Sequence, residues 1–215
     1  MEWQLPIQKV EISNINIASP WARGERNNQK PMAPLSYFGT QFRMPFITFL
    51  FPPLPIQEYN PNTGKLVLDM SSSNLACIKL NTLQETIINS ILYNQQAWFR
   101  SEYTKEEVRD GFQPIIEPGG HSIILHCPAA VKNIPVYKNG WKAFSAEDLK
   151  PGVKIRVATK IHGISFLTIP SSSQSTTTNY VGSEQKNRGS IETEVNWSGK
   201  CRLQHRIQGI IFINT

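Results

Sequence analysis

The chain has no apolar run approaching the roughly twenty residues that a membrane-spanning helix needs. Its first residues, Met1 to Pro6, carry neither the basic region nor the apolar segment of a secretory leader. These absences predict a soluble, intracellular protein. Cysteine is scarce: Cys77, Cys127 and Cys201 are widely spaced, odd in number and set among apolar neighbours. Such a set makes no disulfide framework and reads as buried thiols in a reducing compartment. The Asn196-Trp197-Ser198 sequon then carries no meaning for glycosylation. Histidine is scarce too. None of His121, His126, His162 and His205 stands at metal-ligand spacing from another His or a Cys, so no metal is expected. There is no Gly-x-Ser-x-Gly elbow, no glycine-rich loop ending in Lys and Ser/Thr, and no dinucleotide fingerprint. Pro118-Gly119-Gly120-His121 has no nucleophile elbow downstream and reads as a turn before a strand. Carboxylates gather only at Glu106, Glu107 and Asp110, where a solvated short helix explains them. The expectation is a protein that is not an enzyme and holds no cofactor.

What the chain has is local basicity. Its 22 Lys and Arg against 16 Asp and Glu give a net charge of +6. Residues 151–215 carry eight Lys/Arg against three Asp/Glu, a net of +5, whereas residues 1–150 carry fourteen against thirteen. Charge confined to one third of the chain points to a site rather than to a generally cationic surface. Within that third, two stretches alternate residue by residue. Lys154, Arg156 and Lys160 share one parity, with Val153, Ile155, Val157 and Ile161 on the other. Lys200, Arg202, Gln204, Arg206 and Gln208 stand opposite Cys201, Leu203, Ile207 and Ile211. Side chains on a strand point alternately to opposite faces, so each stretch predicts a strand with one basic face. A single such strand would suit a solvated edge. Two of them in one sheet would form a patch suited to a phosphate backbone.

The rest of the chain predicts a mainly β, α+β domain spanning residues 1–215. Alternation over Ile7 to Ile17, then Leu35 to Phe42, Phe46 to Phe51 and Lys65 to Met70, reads as strands separated by Pro-rich punctuation. A helical insert is expected at about 75–112. Its long helix runs from about Thr82 to Phe99 on the spacing of Leu83, Ile87, Ile88, Ile91 and Leu92, with Asn81 as cap. A short helix follows the capping-box match Thr104-Lys105-Glu106-Glu107 and stops at Gly111. Strands resume with Ser122 to Cys127. Asn139-Gly140 marks a tight hairpin within Val136 to Phe144, a helical turn is expected at Ser145 to Asp148, and Gly163 reads as a bulge. Pro170 to Ser190 is Ser/Thr/Asn/Gln-rich and predicts a mobile polar loop.

Aromatics accompany the basic region: Trp141 beside Lys142, Phe166 beyond the bulge, and Trp197 before the last strand. Exposed rings on a basic sheet give bases a surface to stack on. The candidate nucleic-acid-binding residues are therefore Lys154, Arg156, Lys160, Lys200, Arg202 and Arg206 for phosphates and Phe166, Trp141 and Trp197 for bases, with Lys142 alongside. Arg23, Arg26 and Lys30 would close over the strand from the first polar loop.

Several segments carry a family resemblance: Phe42-Arg43-Met44-Pro45-Phe46, Asn94-Gln95-Gln96-Ala97-Trp98-Phe99, Phe112-Gln113-Pro114-Ile115-Ile116, Leu149-Lys150-Pro151-Gly152, Gly163-Ile164-Ser165-Phe166 and Arg202-Leu203-Gln204. In these the chain resembles the single-stranded DNA-binding proteins of large nucleo-cytoplasmic DNA viruses and related phage replication proteins. The resemblance implies an elaborated OB-like β-barrel and sequence-nonspecific binding of single-stranded DNA during viral replication, recombination or repair. It also implies work at replication sites in the host cytoplasm or nucleus, with replication proteins as partners and room for a homo-oligomer. One departure is the ending Ile213-Asn214-Thr215, where phage and some viral members carry an acidic tail that recruits replication partners. Two other readings share the composition: a virion or scaffold protein with a β-sandwich fold, and an RNA-binding regulator.

Overall fold

The computed structural model describes residues 4–20, 30–40, 42–117, 120–126, 136–138, 141–142, 148–169 and 197–213; for Val136, Lys138, Trp141 and Lys142 it describes the backbone alone. Among the described residues the protein is mainly β with two α-helices. In chain order the elements are β1 (Leu5–Pro6), β2 (Ile15–Ile17), β3 (Met32–Phe38), β4 (Arg43–Met44), β5 (Ile47–Leu50), β6 (Leu54–Asn60) and β7 (Lys65–Asp69). Then follow α1 (Asn74–Phe99), α2 (Lys105–Gly111), β8 (Phe112–Gln113), β9 (Ser122–His126), β10 (Val136–Lys138), β11 (Trp141–Lys142), β12 (Lys154–Thr168) and β13 (Trp197–Phe212).

The two basic stretches become the two longest strands, β12 and β13, and they pair antiparallel along nearly their whole length. The far edge of β12 is shared among three segments that follow one another: β6 at Lys154–Ile155, β5 at Ala158–Ile161 and β3 at Gly163–Ser165. The prolines Pro52 and Pro53 separate β5 from β6, because Pro cannot donate to a ladder. The main path runs β11-β10-β13-β12-β6-β7-β9 and does not close on itself. The expected OB-like closed barrel is therefore observed as an open, mixed sheet, with parallel pairings at β1–β5, β8–β13 and β10–β13.

The core lies between the inner face of this curved sheet and α1. Ile155, Val157, Ile161, Ile164 and Phe166 of β12 are buried, as are Cys201, Leu203, Ile207 and Ile210 of β13. The helix lays its stripe of Ala76, Cys77, Leu80, Leu83, Ile87, Ile88, Ile91 and Phe99 into the core. It starts eight residues before the expected point because Leu80, Cys77 and Ala76 continue the same stripe N-terminally, and Ser73 rather than Asn81 is its cap. The helix ends at Arg100, in the left-handed conformation that closes helices. Gln95 then ties down the inter-helix loop by donating to the carbonyl of Tyr103 and accepting from its N–H. The second helix carries the expected capping box, Thr104 with Glu107. That pair holds the Glu107 carboxyl below its usual range, through the Thr104 backbone and hydroxyl hydrogen bonds.

Two other expectations are corrected. Ile7 to Asn14 forms two 3₁₀ turns, Ile7–Lys9 and Ile12–Asn14, and only 15–17 is a strand. Ile7 and Val10 are both buried at a spacing of three, the periodicity of that helix and not of a strand. The run expected as one strand over Leu35 to Phe42 ends at Phe38, and β4 then pairs back onto β3. Asn139-Gly140 lies outside the described residues, but Lys138 pairs opposite Trp141, so the hairpin connection is the expected two residues. The stretches expected as a polar loop at 170–190 and as a helical turn at Ser145 to Asp148, apart from Asp148 itself, lie outside the described residues.

Gly163 shows how tightly the sheet layers meet. A Cβ at this position would collide with the carbonyl oxygen of Ala33 on β3. Gly163→Ala should therefore lower stability by about 1–3 kcal/mol, the usual range for overpacking. Chemical denaturation checks this, and an unchanged midpoint would show that the β3–β12 approach is not constrained there.

Candidate nucleic-acid interface

The antiparallel register decides which side chains share a face. Lys160 stands directly opposite Arg206, Arg156 opposite Ile211, and Ser165 opposite Arg202. Of the three register shifts in this ladder, the two between Ile161 and Gly163 and between Ala158 and Thr159 reverse the parity, and the third lies between Phe166 and Thr168. On β12 the residue His162 is passed over between Ile161 and Gly163; on β13 Gln208 is passed over between Ile207 and Gly209. A one-residue bulge reverses parity beyond it. On β12 the outward residues are thus Lys154, Arg156 and Lys160 before the bulge, and Gly163, Ser165 and Leu167 after it. On β13 they are Lys200, Arg202, Gln204 and Arg206, then Gly209 and Ile211. The two stripes form one patch carrying all six predicted cations, and neither strand contains an Asp or Glu.

The cations are available. Lys154, Arg156, Lys200, Arg202 and Arg206 are exposed. None of these five pairs with a carboxylate among the described residues; Lys65 pairs with Glu58, and Lys105 and Arg109 with Glu85. Lys160 is half-buried, its ammonium 4.6 Å from the centre of the Phe46 ring. Like charges directly across a ladder repel, and Lys160 stands directly opposite Arg206. Lys30 is exposed near the end of the patch beside Lys200 and Arg202. Arg202 is pre-positioned. The Gln204 amide faces three donors, the Ser165 hydroxyl at 2.7 Å and Arg202 Nε and Nη2 at 2.8 and 3.2 Å, so its oxygen accepts from all three.

The aromatic part of the expectation needs correction. Phe166 is 0% exposed and Trp197 3% exposed. Phe99 lies 4.7 Å from Phe166 and 5.3 Å from Trp197, centre to centre, and Tyr103 meets Trp197 edge-on at 5.0 Å. The indole N–H of Trp197 donates to the carbonyl of Lys200. Both rings anchor α1 to the sheet and offer no face to a ligand. Phe166 is turned inward by the bulge at His162; Trp197 shares the odd parity of buried Cys201 and Leu203. Arg23 and Arg26 lie outside the described residues, and so do the side chains of Trp141 and Lys142, whose backbone forms β11. Ile211, placed on the inner parity by its sequence position, is turned outward by the bulge at Gln208 and is 39% exposed.

The rings that do reach the basic face are others. Phe46, 41% exposed, precedes β5 and sits against Lys160 and His162. Tyr137 on β10, 38% exposed, pairs with Ile211. It thereby continues the row Arg156–Ile211–Tyr137 across three strands. The signal for Phe46 was its place before a strand, but which strand that would border is a long-range fact.

Other reactive groups are held inert. Burial pushes the Cys201 thiol up to about 12, and burial also raises Cys77, whose thiol donates to the Gly120 carbonyl. Among the described residues no group of three or more His, Cys, Asp or Glu is placed to hold a metal ion, and no helix is long and apolar enough to cross a membrane. No protein-family model, curated protein or solved structure matches this chain.

His126 and His205 meet at the seam between β9 and β13. The His126 backbone N–H donates to His205 Nε2 at 3.1 Å, so His205 is the neutral tautomer with its proton on Nδ1, facing the Leu203 carbonyl at 3.3 Å. Burial, aided by His126, Arg202 and His162, pushes this imidazole below its ordinary 6.5. The unfolded chain then takes up the proton first. His205 accordingly contributes stability that is full above about pH 6.5 and is lost as pH falls through the lower folded value. Thermal unfolding of the wild type should fall between pH 7.5 and pH 5, and His205→Gln should shrink that drop. An equal drop in both proteins would remove His205 from the seam's energetics.

Proposed function

We propose that this protein is a non-enzymatic binder of single-stranded DNA with little sequence preference, which shields exposed strands during viral DNA replication, recombination or repair. The observation that carries this reading is the outer face of β12 and β13, where six cations and two exposed rings share one surface and neither strand contains an Asp or Glu. A phosphate backbone laid along it would exchange its counterions for Lys and Arg, while bases find flat apolar partners in Phe46 and Tyr137. An open face with rings beside the cations suits a single strand, whose bases are free to stack. On this reading the sheet is an elaborated OB-like barrel opened at the β9–β13 seam, and replication proteins are its natural partners.

The test is a set of anisotropy titrations with a dT20 oligonucleotide, duplex DNA and RNA across a salt series. Tightest binding is expected for the single-stranded DNA. If all six cations neutralise a phosphate, log K should fall with log salt at a slope of about −4. Arg156→Glu with Arg206→Glu should weaken binding and flatten that slope by at least about 1. Unchanged titrations in the double variant would sink the assignment of this face, and preference for RNA would move the function to an RNA-binding regulator.

A second variant tests the rings. Phe46→Ala should cost about 1–3 kcal/mol of oligonucleotide binding with little change in thermal unfolding. Phe166→Ala should instead destabilise the fold by about 3–5 kcal/mol. Equal binding by wild type and Phe46→Ala would show that bases do not stack there.

A further inference from the structure

Two recesses open off one end of the basic face, and they meet at Arg202 and Gln113, paired across β13 and β8. The first, about 240 Å³, is bordered by Lys30, Lys200, Arg202, Ser165 and Leu167. Three cations and a hydroxyl make it a compartment for an anion. The second, about 220 Å³, is walled by Pro114, Ile115, Ile124 and Leu203, with His126 and His205 at its edge. Its aliphatic wall is flanked by polar groups, and the His205 nitrogens are already engaged with the His126 N–H and the Leu203 carbonyl. Gln113, whose side chain is exposed, offers an amide with both donor and acceptor between the two compartments.

We infer that the paired recesses form a site for one nucleotide unit, with its phosphate held by Lys30, Lys200 and Arg202 and its base seated against Pro114, Ile124 and Leu203. A nucleotide joins an anion to a flat, largely apolar ring, and here a cationic compartment adjoins an apolar one with a single guanidinium at the join. Arg202 is suited to that position because Gln204 fixes its Nε and Nη2 edge, which orients the planar fork before any ligand arrives. Gln113 borders both recesses and offers an amide that can pair with any base edge. Sites of this kind are concave and mainly apolar with a few fixed polar groups. The site rests on the reading of the β12–β13 face when the nucleotide belongs to a strand; a free nucleotide would satisfy the same chemistry.

The experiment uses the full chain and three probes: inorganic phosphate, thymidine monophosphate and a dT20 oligonucleotide, each titrated at low salt by calorimetry. Ile124→Trp fills the apolar recess from a half-buried position outside the core, and Ile124→Ala is its small-residue control. The mononucleotide should bind more tightly than phosphate, and Ile124→Trp should remove that advantage. The same variant should weaken dT20 by roughly three- to tenfold, the size of one or two lost contacts, with its salt slope intact. Mononucleotide binding that Ile124→Trp blocks, without any dT20 binding, would support the recess for free nucleotides and overturn the strand reading of the face. Equal affinity for phosphate and mononucleotide, or an Ile124→Trp variant that binds both nucleotide probes like the wild type, would overturn the recess and leave the strand reading standing. Binding of none of the three would overturn both.

Discussion

The antiparallel ladder between β12 and β13 is the constraint on which the other elements depend. Its inner face is a near-continuous run of buried Ile, Val, Leu and Phe, and β3, β5, β6, β8 and β10 pair directly with one of its two outer edges. A slip of one residue would turn that inner set toward water and the cations toward α1, so burial fixes the register strongly. The position of the basic patch is thus a consequence of the core. Lys160 faces Arg206 because Ile161 and Ile207 must be inside, even though the two cations repel.

That dependence also explains what could be read from the residues alone. The parity of Lys154, Arg156 and Lys160, and of Lys200, Arg202 and Arg206, was legible because a period of two is intrinsic to a strand. Gly163 marked the first bulge one residue from its place at His162, whereas the bulge at Gln208 was not legible, because a bulge is a relation between two strands and one of them says little about it. Phe166 and Ile211, each lying beyond a bulge, take the face opposite to their sequence parity. Trp197 was a different kind of miss, since its odd parity already matched Cys201 and Leu203. The helix was legible from Leu83 onward, but its first two turns were hidden by Asn81, which resembles a cap although Ala76, Cys77 and Leu80 carry the stripe through it. Tyr137 had no local signal and Phe46 only its place before a strand, because the exposure of both depends on strands paired far away in the sequence.

The helical insert also explains why the sheet stays open. Gly111, at the end of α2, sits so close to Gly199 of β13 that a Cβ would strike the Gly199 carbonyl, and the chain leaves that contact directly as β8 alongside β13. Three residues later the same segment turns to β9, where Ile115 accepts from the Ile124 N–H and Ile116 bridges to Ile123. The segment 112–116 is therefore wedged between β13 and β9, joined to each at one end, and the two strands cannot zip together.

Buried backbone donors must still be satisfied, and the free edge of β9 shows how. Its N–H groups at Ile124 and His126 are taken by the Ile115 carbonyl and the His205 ring respectively. A side chain substitutes for a ladder hydrogen bond at that point, which holds the seam apart by the width of an imidazole. The gap that remains is the apolar recess beside Arg202. The segment that follows α2 thus borders both the seam between β13 and β9 and the recess beside Arg202, through Gln113, Pro114 and Ile115.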